Sequence, residues 1–455
     1  MMQATLAQRY GEFIVSTKLA DMPPEAVRNG QMLVASTLAS AALGSTLGSS
    51  RTIRRLEVER GGKPLAQAWF GDWEGLPVVA CARVNALMSD AAASDDSDLR
   101  NIVHSGTPAC AAALAVGQEV GASGAEVVEA IVLGYEVAGN INTAMVGGLQ
   151  RKGFHGGIVA SFAAAAAAAR LMRLDAQGAA HALALAATSM GGLHAAAATS
   201  LAREYIAGNA AMMGVQGAQA ARLGYEGEIA TFEMSRGFFQ TLGPGHDANA
   251  VIGELGEKWS ILSELGIKLV PGGSPFHAVA EAAAMAAHEG ALRVEDIRQI
   301  VFTLPDYPFP GPKHPTDLIG IAHSPFYFAA AGAADHDYHW EHAFPGKIGD
   351  PRIRSLFDRV TRLDREVPDK ASYKSGAIVS IETTDGRVIE KSVQYPKGAA
   401  LRGIGWDEIH AKYQALIPYA DVGQVEVDRS FALIRSLPEV PDVRQLLDSL
   451  SQPSR

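Results

Sequence analysis

The sequence predicts a mostly α-helical protein with a second, α+β domain inserted before its C-terminal end. Three observations predict it. From Met1 to about Ser263, apolar residues recur at helical spacing in Ala-rich segments. From about Leu265, runs of alternating β-branched residues appear. After Pro396-Lys397-Gly398 the helical spacing returns. The implied division is 1–263 helical, 264–402 α/β, and 403–455 back to the helical domain. A chain of 455 residues exceeds the size at which a single core stops growing, which agrees with two domains.

In the first part, Ala109–Gln118, Gly124–Ala144, Ile158–Leu171 and Gly178–Met190 read as helices whose small residues allow close approach. Clusters of Gly, Asp and Ser at Ser89–Asp98, Gly147–Gly157 and Gly191–Ser200 read as the loops between them. In the second part, Ala278–His288 reads as a helix and Ile297–Leu304 as a strand. Gly376–Thr383 and Arg387–Tyr395, joined through Asp385-Gly386, read as a hairpin, because Asp-Gly supplies the turn between two alternating runs. Trp406–Leu416 and Arg429–Leu437 read as helices again. No short-period repeat of the solenoid kind is visible.

Composition narrows the function classes. Hydrophobic residues are 48% and charged residues 19%, so the chain buries a large core. The net charge of −10 with scattered Lys and Arg argues against nucleic acid or an anionic membrane as partner. Two cysteines, Cys81 and Cys110, are too few for a disulfide scaffold or a thiolate zinc site. A reducing, cytoplasmic location is the expectation, since Met1–Ser16 lacks signal-peptide layout and Ile158–Ala169 is shorter than the roughly 20 residues of a membrane span.

Polar residues concentrate in the loops. The run Ser89-Asp90-Ala91-Ala92-Ala93-Ser94-Asp95-Asp96-Ser97-Asp98, followed by His104, is either an acid/base pocket, a metal site, or helix capping on a solvated loop. No second histidine stands at a ligand-like spacing from His104, so neither a metal nor a cofactor is expected. His155 lies between glycines ahead of a helix, where backbone amides favour an anion and an imidazole can shuttle a proton. The same loop lacks a phosphate-loop ending, which excludes nucleotide binding on that basis. Arg203 stands in an otherwise uncharged region and suits bidentate grip of a carboxylate, or a structural pair with Glu204 or Asp175. Lys268 and His277 flank Val270-Pro271-Gly272-Gly273-Ser274-Pro275 at the change of texture, where ligand sites are common and hinge packing is equally served.

Taken in order, these segments resemble the MmgE/PrpD family over almost the whole chain. Asn85-Ala86-Leu87 through Asp95-Asp96-Ser97 resembles its Asn-Gly…Ala-His…Asp-aromatic-Asp-Asp-Thr segment, His104 its His-Pro-Ser histidine, and Gly153-Phe154-His155 its Gly-aromatic-His motif. Gly134-Tyr135-Glu136-Val137, Arg203 through Gly208-Asn209-Ala210-Ala211, Lys268-Leu269-Val270-Pro271 and Ser324-Pro325-Phe326-Tyr327 resemble further family segments, as do Gly349-Asp350-Pro351-Arg352 and Trp406-Asp407-Glu408-Ile409. The sequence departs from the pattern at Ala93, which takes the place of an aspartate, near Asp90, which takes that of a histidine, and at Arg203, which takes that of a lysine.

The resemblance implies a helical domain made from both chain ends, an inserted α/β lid, and a homodimer. It also implies a lyase acting on a small di- or tricarboxylic acid through proton abstraction beside a carboxylate, by dehydration or decarboxylation. A cofactor-independent epimerase or isomerase is the alternative, and an inactive binding protein a third. On this reading His155 carries the proton, with His104 as partner, Tyr327 as donor to the oxyanion or leaving group, and Asp90, Asp95 or Asp96, with Asp96 the choice, as the replacement carboxylate. Arg203, Lys268, Ser97 and His277 are the substrate-binding candidates.

Overall fold

A computed structural model of the chain describes residues 4–71, 75–189, 191–244, 254–305, 311–367 and 369–451. The chain divides into two compact units, Met1–Ile267 with Gly405–Arg455, and Lys268–Ile404.

The first unit is helical. Its longer helices before the junction are α1 (Leu6–Ser16), α2 (Pro24–Ser45), α3 (Gly48–Arg60), α4 (Val78–Ala91), α5 (Gly106–Val120), α6 (Gly124–Met145), α7 (Gly157–Leu171), α8 (Ala176–Ser189), α9 (His194–Thr199) and α10 (Ala202–Arg222). The Ala-rich α7 is buried almost throughout and packs against α5, α6 and α10. Its neighbours come close because they present glycine. A Cβ on Gly134 of α6 would stand 2.5 Å from the Ala163 carbonyl oxygen, and one on Gly214 of α10 would stand 2.6 Å from that of Ser161. The start of α6 is set by a capping box between Ser123 and Glu126. The Trp406–Leu416 helix packs on α2. Met190, the last residue of the fourth expected helix, lies outside the described residues.

All three expected loops carry regular structure, a single 3₁₀ turn at Gln150–Lys152 in the case of Gly147–Gly157. Ser89 to Ala91 complete α4, and, after the two-residue strands β1 (Ala66–Gln67) and β2 (Gly75–Leu76), Asp96–Asp98 form a short strand, β3, antiparallel to β4 (Leu265–Ile267), with Asp96 opposite Ile267. The Gly191–Ser200 stretch contains α9. The run Ser89–Asp98 is buried rather than solvated. Three of its four carboxylates meet a cation or imidazole, Asp90 on Arg203, Asp95 on His104 and Asp98 on Arg100, and Asp96 caps a helix.

The second unit holds a four-stranded sheet of β5 (Ile297–Thr303), β6 (Val360–Arg362), β7 (Ala377–Thr383) and β8 (Val388–Val393) in the order β6-β5-β7-β8. β5 and β6 are parallel and the other pairs antiparallel. Gly386, at φ +87°, makes the turn of the β7–β8 hairpin, a conformation glycine adopts without a Cβ penalty. The Ser274–Glu289 helix packs on β7, β8 and the Pro325–Asp335 helix, closing a core that includes Phe276, Ile300, Phe302, Tyr327, Phe328 and Val379. Among the described residues no single helix is long and apolar enough to cross a membrane.

Candidate active site

Asp96 begins the geometry. Its carboxylate accepts the Gly106 and Thr107 amides, each at 2.9 Å, and so satisfies the first turn of α5 from a strand ten residues upstream. With both oxygens in that role, Asp96 is an anchor, and its reading as a catalytic carboxylate gives way. Ser97, buried opposite Gly266, turns its hydroxyl to the Asp98 carbonyl at 3.5 Å and is likewise structural.

His104 is held by the neighbouring residue. Its Nδ1 lies 2.9 Å from Asp95 Oδ2 and 2.5 Å from the Asp96 carbonyl oxygen. Both partners can only accept, so Nδ1 carries the hydrogen, and the neutral ring presents Nε2 as its basic nitrogen. A buried carboxylate behind an imidazole fixes the tautomer and favours the cationic ring after proton uptake.

His155 has the opposite arrangement. The Gly157 amide donates to its Nδ1 at 3.1 Å. An amide can only donate, so in the neutral ring the hydrogen sits on Nε2. The two rings lie near one another, centroids 6.4 Å apart and planes inclined by 21°. The helical unit thus brings together one imidazole whose Nε2 holds the lone pair, His104, and one whose Nε2 carries the hydrogen, His155.

Arg203 does not stand open. Its Nε meets Asp90 Oδ1 at 2.9 Å, and a terminal nitrogen reaches the Asp90 and Ala91 carbonyls at 2.9 and 3.3 Å and Glu204 at 3.5 Å. Burial would lower its pKa, but Asp90, Glu204 and Asp95 outweigh that and hold the guanidinium charged. The two departures from the family pattern at Asp90 and Arg203 therefore face each other as a buried ion pair, and the carboxylate-clamp reading of Arg203 gives way to a brace on the end of α4. Asp90, Asp95 and His104 offer three ligand-type atoms within 4.8 Å of one another, the one such cluster among the described residues. The Arg203 and His104 pairings account for these charges.

The remaining candidates belong to the second unit. Lys268 is buried. His277 Nε2 lies 3.3 Å from the Gly272 carbonyl and its ring stacks on Phe328 at 5.9 Å. Tyr327 is fully buried and donates its hydroxyl to the His342 carbonyl at 2.8 Å, while burial, then Asp335, raises its pKa. That places it in the core of the unit, with its hydroxyl already committed, rather than as a donor to substrate.

Two residues around the site, Lys412 and His194, escape a reading of the sequence. Asp95 and Asp96 are adjacent and alike, and only their partners in the fold, His104 for Asp95 and the first turn of α5 for Asp96, separate their roles. Lys412, from the C-terminal segment, donates to Ser36 Oγ at 2.7 Å and to the Ser94 carbonyl, fixing the corner before Asp95. His194 stacks on His155 with centroids 6.4 Å apart. One signal for it was present, since Gly192-Leu193-His194 echoes Gly153-Phe154-His155.

Over 348 residues the chain is 28% identical to the cis-aconitate decarboxylase-like protein oryM of Aspergillus oryzae, covering 72% of each chain. It is 23% identical over 376 residues to the human cis-aconitate decarboxylase, covering 79% of this chain and 77% of that protein. Residues 8–250 match the MmgE/PrpD N-terminal domain and residues 271–434 the MmgE/PrpD C-terminal domain. The chain belongs to the MmgE/PrpD family.

Proposed function

We propose that the protein is a lyase acting on a small di- or tricarboxylic acid, by dehydration or decarboxylation. The observation that carries the reading is the Asp95–His104 pair beside His155, a base and a hydrogen-bond donor of fixed and opposite tautomer. The similarity to cis-aconitate decarboxylases supports the substrate class.

In dehydration, His104 Nε2 takes the proton from the carbon next to a carboxylate, and Asp95 stabilises the imidazolium that forms. The carbon–hydrogen electron pair becomes the new double bond as the carbon–oxygen bond breaks, and the leaving hydroxide departs as water with the proton that His104 has taken up. In decarboxylation, the carbon–carboxylate bond breaks instead, carbon dioxide leaves, and a protonated His104 returns a proton to the carbanion. In either case His155 Nε2–H donates to the oxygen on which negative charge gathers. A neutral imidazole suffices for that, since its role is to stabilise charge rather than to titrate.

The test is NMR of the purified protein in deuterated water with a panel of polycarboxylates. Loss of water or carbon dioxide from one of them supports the proposal. Deuterium incorporation without loss of mass would make it an epimerase or isomerase, and binding without turnover would overturn catalysis.

A further inference from the structure

The chain reaches His104 through a turn that its own residues do not favour. Asp98 and Val103 form an antiparallel bridge, with the Asp98 amide donating to the Val103 carbonyl at 2.7 Å and the Ile102 amide to the Asp98 carbonyl at 2.9 Å. Inside the turn Ile102 stands at φ +49°, the one β-branched residue at positive φ among the described residues. Its branched Cβ crowds the backbone there, so the conformation costs free energy and persists only where the surroundings impose it.

The surroundings are the last turns of α6. Arg100 donates through its own amide and its Nε to Asp98 Oδ1, each at 3.0 Å, and through a terminal nitrogen to Asp98 Oδ2. Its guanidinium also reaches Thr143 Oγ1 at 2.6 Å and the Gly139 carbonyl at 3.0 Å on α6, and Ser260 Oγ at 3.3 Å. Gly139 leaves room for this, since a Cβ on it would stand 2.5 Å from Ser260 Cβ and 3.3 Å from the Arg100 terminal nitrogen. Asn101 donates to Asn142 Oδ1 at 3.1 Å, and its carbonyl accepts Gln150 Nε2 at 3.3 Å. From the same helix end the chain runs through Gln150 to His155. The next residue, Gly156, lies against the turn, for a Cβ on it would stand 2.7 Å from the Ile102 carbonyl oxygen. The turn ahead of His104 and the loop ahead of His155 thus share one support.

We propose that Arg100 is a positioning residue for the reaction, holding the turn that sets the His104 ring on Asp95 and beside His155. This rests on the reading of His104 as the base of a polycarboxylate lyase, and it adds a residue that acts through His104. Without the guanidinium, Ile102 relaxes to negative φ, and Val103 and His104, the next residues, move with it. His104 then loses the fixed Nδ1–H that Asp95 and the Asp96 carbonyl impose on it.

Nitrogen-15 histidine NMR of the full chain reads that tautomer, with His104→Gln identifying the signals, and kcat is followed on citrate, isocitrate, malate and cis-aconitate. In the wild type the neutral His104 should carry its hydrogen on Nδ1. Arg100→Ala should turn this into a mixture of tautomers and lower kcat by about 10²-fold, the scale of a displacement of about 1 Å. An ion pair that serves packing alone would, on removal, lower the melting temperature without either effect. Ile102→Gly then decides the cause, because glycine takes positive φ freely. Arg100→Ala/Ile102→Gly should regain the Nδ1 tautomer and about tenfold in kcat, while the melting temperature, set by Asp98 without its cation, stays low. Arg100→Lys keeps a charge beside Asp98 but offers one nitrogen in place of three, and should show both effects to a lesser degree even where Arg100→Ala fails to fold. An unchanged tautomer and kcat in the Arg100 variants, or a loss that Ile102→Gly does not relieve, overturns the positioning role alone. Absence of wild-type turnover on all four acids overturns the lyase reading and this inference with it.

Discussion

At Arg203 two roles separate by experiment. A substrate clamp loses affinity on truncation and keeps its stability, whereas a brace does the reverse. Removing one partner of a buried pair leaves an uncompensated charge, here Asp90 at 1% exposure. Arg203→Ala should therefore destabilise the fold by about 3 kcal/mol, read as a lowered urea midpoint. The histidines separate in the same way. His104→Gln should lower kcat by about 10²–10⁴-fold, the range for a proton-transfer group. His155→Gln, which keeps a donor where Nε2 stood, should retain far more activity than His155→Ala. If the two His155 variants are equally impaired, the donor assignment is wrong. Glu136, whose carboxylate accepts the Ser260 amide at 2.6 Å, gives a pH prediction. Burial, only partly offset by that amide and Arg100, pushes its pKa from 4.5 to about 8. Between those values the folded chain keeps a proton that the unfolded chain releases, so stability falls as pH rises, by up to about 1.4 kcal/mol per pH unit. Glu136→Gln should flatten that slope, measured as urea midpoints at about pH 5 and about pH 8.

At the scale of elements, the helices and the hairpin were legible because their signals are local. Asp385-Gly386 between alternating runs defines β7 and β8, and alanine spacing defines α5 to α7. The roles of Asp90, Asp96 and Arg203 were not legible, because each depends on a partner distant in sequence: α5 for Asp96, α10 for Asp90, and the end of α4 for Arg203. Charge and residue type name a candidate, but whether its hydrogen bonds are already used is a property of the packed structure. Alanine content likewise predicted close helices without saying which glycine meets which backbone. Gly214 is such a point, facing Ser161 and Ala165 on α7. Gly214→Val should force α7 and α10 apart and cost about 1–3 kcal/mol or more, seen as a drop in melting temperature.

For the whole molecule, the family resemblance and the Ala-rich helices lead us to propose a homodimer. Large apolar side chains exposed along α9, α10 and the turn that follows support it, with Leu193 at 61%, Tyr225 at 66% and Leu223 at 87% exposure. Light scattering at micromolar concentration should give about twice the 47.8 kDa chain mass, and a monomer across that range would count against the proposal. The two-unit layout was readable as a change in texture near Leu265 and its reversal after Gly398, and the structural boundaries fall at Ile267 and Gly405.

Lys412 ties the last segment of the chain to the corner that precedes Asp95. On the ribosome that tie is made late. At about 5–20 residues per second, roughly ten seconds separate the appearance of Lys268 from that of Gly405. The Lys268–Ile404 unit is continuous in sequence and has all its residues by then, while the helical unit still lacks the segment that holds the corner before Asp95. Nascent chains released early should therefore carry a folded second unit and a helical unit whose corner before Asp95 still lacks its Lys412 tie.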